Sequence, residues 1–441
     1  MSERAVPLRS GSTASMVARS YGAASSSRVG WARVRLVELL VLATFLLCMS
    51  APEELFYTSV ESELNPFVGV TKLLLLGLAF AILLLCPQGR RHWAIAGPFG
   101  MLMVWSVFCW VVAGADILPA RNLVSSFCGI LVLAAFSAAA ELLGGIRVLV
   151  RLLICALIVG ALTSILLGVM GFQAMPGELA SPWQLEWFHG IGIPAYAVAG
   201  CAVLIAWVLA RHISEPGVWM ELGVLALLVI PAMSFLRAYL IGIVVSIIVA
   251  AFFAFRNSRR KNSDGRLQGY DSRYKRLLRL VVVTLGVGIV IFFLKTSTRE
   301  EGAPLSGREI IWPIEIASVM QHPVFGLGPY GDIELLRFQE DLPQVGAAHS
   351  DYLGAAVCYG VPGLLLFCGA LYGMWKRILR YRAASLEDRA CRYAALLSLV
   401  GLSTTMIAEN VIRDPRLFAL HLLFPAICLS AAAIDRKKAT K

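Results

Sequence analysis

Residues 218–255 read VWMELGVLALLVIPAMSFLRAYLIGIVVSIIVAAFFAF, two apolar runs at about 218–235 and 238–255 set back to back. Between them stands only the turn Ser234-Phe235-Leu236-Arg237. Each run has the length that crosses a hydrocarbon core, roughly 17–25 residues. In lipid, a lone segment of that length satisfies its backbone groups only as a helix. The stretch therefore reads as a helical hairpin through a membrane, turning at Arg237.

The pattern continues in both directions. Further runs at about 36–51, 66–85, 93–114, 120–139, 148–171, 190–210, 280–295, 352–375, 393–411 and 418–434 bring the total to about twelve. With 58% hydrophobic and 15% charged residues in 441, and a mean hydropathy of +0.75, the chain carries more apolar surface than one water-soluble core can hide. The fold class expected is all-α, a polytopic membrane helix bundle of about 12 transmembrane helices over 36–434, with one long periplasmic loop containing short helices. No internal repeat is visible.

The net charge of +11 does not point to nucleic acid, because Lys and Arg sit mostly in short segments between apolar runs, where they set orientation. With the N-terminus cytoplasmic, Arg90–Arg91, Arg147, Arg211, the dense loop 256–279, Lys376–Arg392 and Arg436–Lys438 all fall inside. Residues 1–35 and 435–441 are expected as cytoplasmic tails, the first basic and disordered with no cleavage signature after it. The loop 256–279 is explained by orientation and attraction to anionic headgroups. None of the ten cysteines forms a CxxC pair or lies in the long polar loop, so neither a disulfide framework nor a metal site is expected.

The segment from about 296 to 350 is too polar to span and too long for a plain connector, which marks it for function. Ser306 and Glu309 have capping-box spacing ahead of Ile310, Ile311, Ile314 and Val319, which predicts a surface-lying helix that Pro313 kinks or restarts. Gly326, Gly328 and Gly331 then form a turn cluster. The helix centres are almost bare of ionisable groups, which argues against a transport path through the bilayer and for a site at the outer interface.

Arginine is uncommon on the outer side, yet Arg121, Arg237, Arg308, Arg337, Arg413 and Arg416 all fall there. Guanidinium groups at a membrane surface suit an anionic ligand, above all phosphate oxygens held bidentately. The ordinary alternative is that each snorkels to headgroups or pairs with a neighbour such as Glu409 or Asp414. Arg237 is the least open to it, because its turn leaves little room for an incidental charge. Among the histidines, His349 stands where the long loop re-enters the membrane, and an imidazole there can take a proton from a sugar hydroxyl near neutral pH.

Ser306-Gly307-Arg308, Trp312, His322-Pro323-Val324-Phe325-Gly326-Leu327-Gly328, His349-Ser350-Asp351-Tyr352-Leu353 and Gly360-Val361-Pro362-Gly363-Leu364, in that order, resemble the O-antigen ligase and polymerase superfamily. Ser234-Phe235-Leu236-Arg237 resembles that family's earlier Ser-x-x-Arg element, so the motifs cover roughly 230–365. One residue departs from the pattern: Ser350 stands where Asn commonly follows the histidine. The resemblance implies transfer of a glycan from undecaprenyl diphosphate to an acceptor hydroxyl on the periplasmic face of a bacterial inner membrane. The acceptor is lipid A-core in a ligase and a second lipid-linked repeat unit in a polymerase. It also implies a catalytic set of His349, Arg237 and Arg308, with neither nucleotide cofactor nor metal. Arg121, Arg413, Arg416 and Tyr352 are the candidate substrate-binding residues. The expected mechanism is a single, inverting displacement in which the arginines hold the diphosphate and His349 orients or deprotonates the acceptor. The rival from another class is a transporter or flippase for the lipid-linked sugar, which the bare helix centres disfavour.

Overall fold

A computed structural model of the chain describes residues 28–49, 66–86, 93, 95–115, 117–169, 193–214, 220–234, 237–261, 280, 282–286, 308–329, 331–332, 335, 350–383, 385–412 and 414–439. Thirteen helices account for nearly all of them: α1 Arg28–Met49, α2 Pro66–Leu85, α3 Ala96–Val112, α4 Ile117–Leu142, α5 Ile146–Val169, α6 Ile193–Ser214, α7 Met220–Ser234, α8 Arg237–Lys261, α9 Arg308–Gln321, α10 Asp351–Arg380, α11 Leu386–Thr405, α12 Pro415–His421 and α13 Leu423–Ala439. Among the described residues no strand occurs.

By length and composition, five of the described helices can cross a membrane, or six when α12 and the first part of α13, bent by 58°, are taken as one broken span. The chain is a multi-pass helical membrane protein. The apolar run at 280–295 is described only at 280 and 282–286, which are helical. The first helix begins at Arg28, ahead of the apolar run and inside the stretch expected as a tail; in that added part Arg33 donates to the carbonyl of Leu85 at the end of α2 and Arg35 pairs with Glu38 at 2.6 Å. Ser306 lies outside the described residues, and α9 runs through Pro313 without ending.

The bundle is organised around α11, which packs on α6, α8 and α13. Small residues let α8 and α11 approach closely, as is usual where lipid supplies no hydrophobic drive between helices. A Cβ on Gly242 would lie 2.8 Å from the carbonyl oxygen of Gly401, so only glycine fits there. One turn on, Ser246 Oγ donates to the Leu397 carbonyl at 3.0 Å, and Thr405 Oγ1 donates to the Ala238 carbonyl at 3.5 Å. The contact brings the start of α8, where Arg237 stands, to the end of α11.

Candidate functional site

Four helices, α8, α9, α10 and α12, begin at the end of the bundle where α11 finishes, and the connector 406–414 runs among them. The N-terminus of α10 grips that connector. Ser350 caps α10, its Oγ accepting from Leu353 N at 3.4 Å and donating to the Met406 carbonyl at 3.4 Å. The Asp351 amide donates to the same carbonyl at 3.0 Å. The Asp351 carboxylate is buried and accepts from Val411 N at 2.7 Å and Ile412 N at 3.1 Å. Serine in place of asparagine therefore keeps a good N-cap.

Arg308, first residue of α9, reaches the same connector. Its Nη2 donates to the Ala408 carbonyl at 2.7 Å and lies 3.5 Å from Glu409 Oε1. One nitrogen of Arg308 is thus held by two adjacent residues of the connector while its guanidinium stays partly accessible. Arg416 is held differently: it is buried and forks onto Asp414, Nε to Oδ1 at 3.0 Å and Nη2 to Oδ2 at 2.7 Å. Asp414 also caps α12 by accepting from Arg416 N at 2.8 Å, with Pro415 at the first helical position. Pairing with a neighbouring acid, one of the two readings open from sequence, is the arrangement Arg416 adopts. Tyr352 donates its hydroxyl to the Ser403 carbonyl at 3.1 Å and packs on Phe367.

Arg237 opens α8, and Arg121 lies in the second turn of α4. His349 and Arg413 fall outside the described residues; their neighbours Ser350, Ile412 and Asp414 all belong to the assembly just described. The structure thus gathers the start of α8, Arg308 and the Ser350-Asp351 cap around residues 405–412. Asp351 and Glu409 were not singled out for this from sequence. Their partners lie tens of residues away, and the only local signal is an acid in the first turn of α10.

The His322–Gly328 and Gly360–Leu364 motifs fit together as a clip. Within α10, Gly360 takes a φ of +69°, which interrupts the helix, and Pro362 has no N–H to give the Cys358 carbonyl. The turn after α9 supplies what is missing. Leu327 N donates to the Val357 carbonyl at 2.8 Å, Gly328 N to Cys358 at 2.9 Å, and Val361 N turns to the Pro323 carbonyl at 2.8 Å. Gly326, at a φ of +65°, has no room for a Cβ because the Val357 carbonyl occupies the space. These glycines serve backbone contact, and the clip fixes where α9 ends.

Beside the cap lies a cavity of about 120 Å³ between α3, α4, α10 and α12, lined by apolar side chains including Phe99, Met103, Ile130 and Phe418, with Asp351 at its margin. Among the described residues no group of three His, Cys, Asp or Glu side chains could hold a metal ion. The arrangement sets a partly accessible arginine, Arg308, and the starts of four helices around one connector, next to an apolar hollow.

A multi-pass helical protein in which Arg308 and several helix starts meet one connector beside an apolar cavity defines the class. Residues 222–368 match the family model described as O-antigen ligase, about a third of the chain. That match supports the O-antigen ligase and polymerase superfamily, and it runs from α7 into α10, enclosing Arg237, Arg308, His349 and Tyr352 while leaving out Arg121, Arg413 and Arg416. No curated protein matches the chain.

Proposed function

We propose that the protein transfers a glycan from undecaprenyl diphosphate to a hydroxyl of lipid A-core, on the periplasmic face of a bacterial inner membrane. About twelve spans with both termini cytoplasmic carry the site. The observation that carries this reading is the meeting of Arg308, the start of α8 and the cap that follows His349 on one connector, beside an apolar cavity.

The acceptor oxygen attacks the anomeric carbon while the bond from that carbon to the diphosphate oxygen breaks. His349 orients the hydroxyl and takes its proton. Arg237 and Arg308 meet the negative charge that grows on the departing diphosphate, which is electrostatic stabilisation aimed at the transition state. Glu409 and the Ala408 carbonyl keep Arg308 aimed before donor arrives. A single displacement inverts the anomeric centre and needs no metal, because diphosphate is already a good leaving group. The cavity takes the first part of the polyprenyl chain. Arg121, Arg413 and Tyr352 are assigned to the acceptor, while Arg416 is held by Asp414.

The test is a reconstituted transfer in nanodiscs with an undecaprenyl-diphosphate-linked glycan, offered lipid A-core in one arm and no further acceptor in the other. Glycan on lipid A-core establishes a ligase. Lengthening of the donor-linked chain alone reassigns the protein as a polymerase. Movement of intact donor across the bilayer without either product makes it a transporter.

A further inference from the structure

The helix α9 begins at the connector with Arg308 and ends well down the flank of α10. The turn after it bonds to α10 at residues 357–361. Those residues lie roughly 9–15 Å along the helix from Asp351 at 1.5 Å per residue. There Phe325 packs on Trp105 at 5.9 Å and on Phe108 at 5.8 Å between ring centroids, and Trp105 also donates its indole N–H to the Tyr359 carbonyl at 2.9 Å. Both rings belong to α3 and stand about 6–10 Å short of its last residue, Val112. The turn therefore sits beside the inner side of the end of α3.

The face of α3 around those rings is apolar and open: Met101, Val104, Val107 and Val111 are all exposed, Val104 at 68%. On an apolar helix of a multi-pass protein such a face is a lipid face. It meets the turn after α9 at Phe325, itself exposed. Ile311, Glu315 and Ser318 of α9 are buried, whereas Ile316, Met320, Val324 and Phe325 are exposed, Met320 at 77%. A 14-residue helix with one side packed and the other apolar and bare has the pattern of an element lying in a membrane interface.

We propose that α9 and the turn Pro323–Gly328 form a wedge immersed in the leaflet on the site's side of the membrane, with Ile316, Met320, Val324 and Phe325 against acyl chains. The wedge sets the height of Arg308, at the other end of α9, to that of the lipid phosphates; this clause rests on the proposed polyprenyl-diphosphate donor. The occupant of the face is lipid because the face meets the lipid face of α3 at Phe325.

The test uses the whole protein in nanodiscs of phosphatidylethanolamine and phosphatidylglycerol doped with a phospholipid carrying a diazirine on its acyl chain. One sample is pulsed with a water-soluble methionine oxidant and another is irradiated, and both are read by peptide mass spectrometry. Met320 is expected to oxidise at least about ten-fold more slowly than in the detergent-denatured chain, since oxidation follows exposure to water, and the peptide 308–329 is expected to carry diazirine adducts. Oxidation of Met320 near the denatured rate overturns the proposal. Protection without acyl-chain adducts also overturns it, by assigning the face to a second copy of the chain. Neither readout involves glycan transfer, so a negative result leaves the proposed reaction to stand or fall on its own assay.

Discussion

Asp351 holds two backbone amides that otherwise have no acceptor beside an apolar cavity. Asp351→Ala strands both, and each buried unpaired group costs about 1–3 kcal/mol. The expected result is a fall of several degrees in Tm in detergent, together with loss of transfer, because the cap next to His349 loses its anchor. Asp351→Asn keeps one acceptor oxygen and should lose less on both measures. Arg308→Lys retains charge but not the planar fork, so transfer should fall by roughly ten-fold or more with little change in Tm; an unchanged rate removes Arg308 from the diphosphate clamp. Arg416 is buried and pairs with the partly exposed Asp414, and breaking a fully buried pair costs about 3–5 kcal/mol, an upper bound here. Arg416→Ala is therefore expected to lower Tm more than it raises the KM for donor. A large KM effect at normal stability would return Arg416 to the substrate. The proposed catalytic residues Arg237, Arg308 and His349 were legible in the sequence because each stands in a recognisable motif. It named Glu409 as a possible arginine partner and Asp351 as part of a motif, but not their contacts, because the partners are far along the chain: Val411 and Ile412 for Asp351, Arg308 for Glu409.

Among the elements, α10 is the most constrained. Its break at Gly360 exists only because the turn after α9 takes over the freed carbonyls. Gly360→Ala must hold a side chain at positive φ against the Val324 carbonyl, a strain of about 1–3 kcal/mol. It should loosen α9 and reduce transfer together with Tm. The α8–α11 contact is the second constraint. Gly242→Val pushes into Gly401 and Thr405, an overpacking cost of about 1–3 kcal/mol, and displaces the start of α8. Retention of full transfer by Gly242→Val would mean that the position of Arg237 is not set by this contact. Most of the described helices were legible from apolar runs, but the run read at 418–434 is broken into α12 and α13 at 58°, the run read at 393–411 is α11 at Leu386–Thr405, and α10 was read at 352–375 against an observed Asp351–Arg380. The extra turn at its end carries Arg377 and Arg380, whose charge hides a helix from hydropathy alone. The break at Gly360 was not legible, since glycine before proline marks a kink only once its carbonyls are seen to find other donors.

For the whole molecule, the membrane class follows from composition, and the proposed orientation rests on where the basic loops fall. A reporter enzyme active only outside the cytoplasm should be inactive when fused after Tyr270 and active when fused after Glu340. The reverse result would place the site on the wrong face for a periplasmic acceptor. Hydropathy counts spans, but it does not say which helix ends converge; that depends on small-residue contacts such as Gly242 with Gly401 and on the connector between α11 and α12.

This end of the bundle is proposed to break a glycosyl–diphosphate bond using His349 and Arg237. The most direct measurement is glycan transfer by the protein in nanodiscs, comparing the wild type with His349→Ala and Arg237→Ala at matched protein levels and matched Tm. Loss of product in both variants, with the wild type active, is the predicted result. Full transfer by both contradicts the claim.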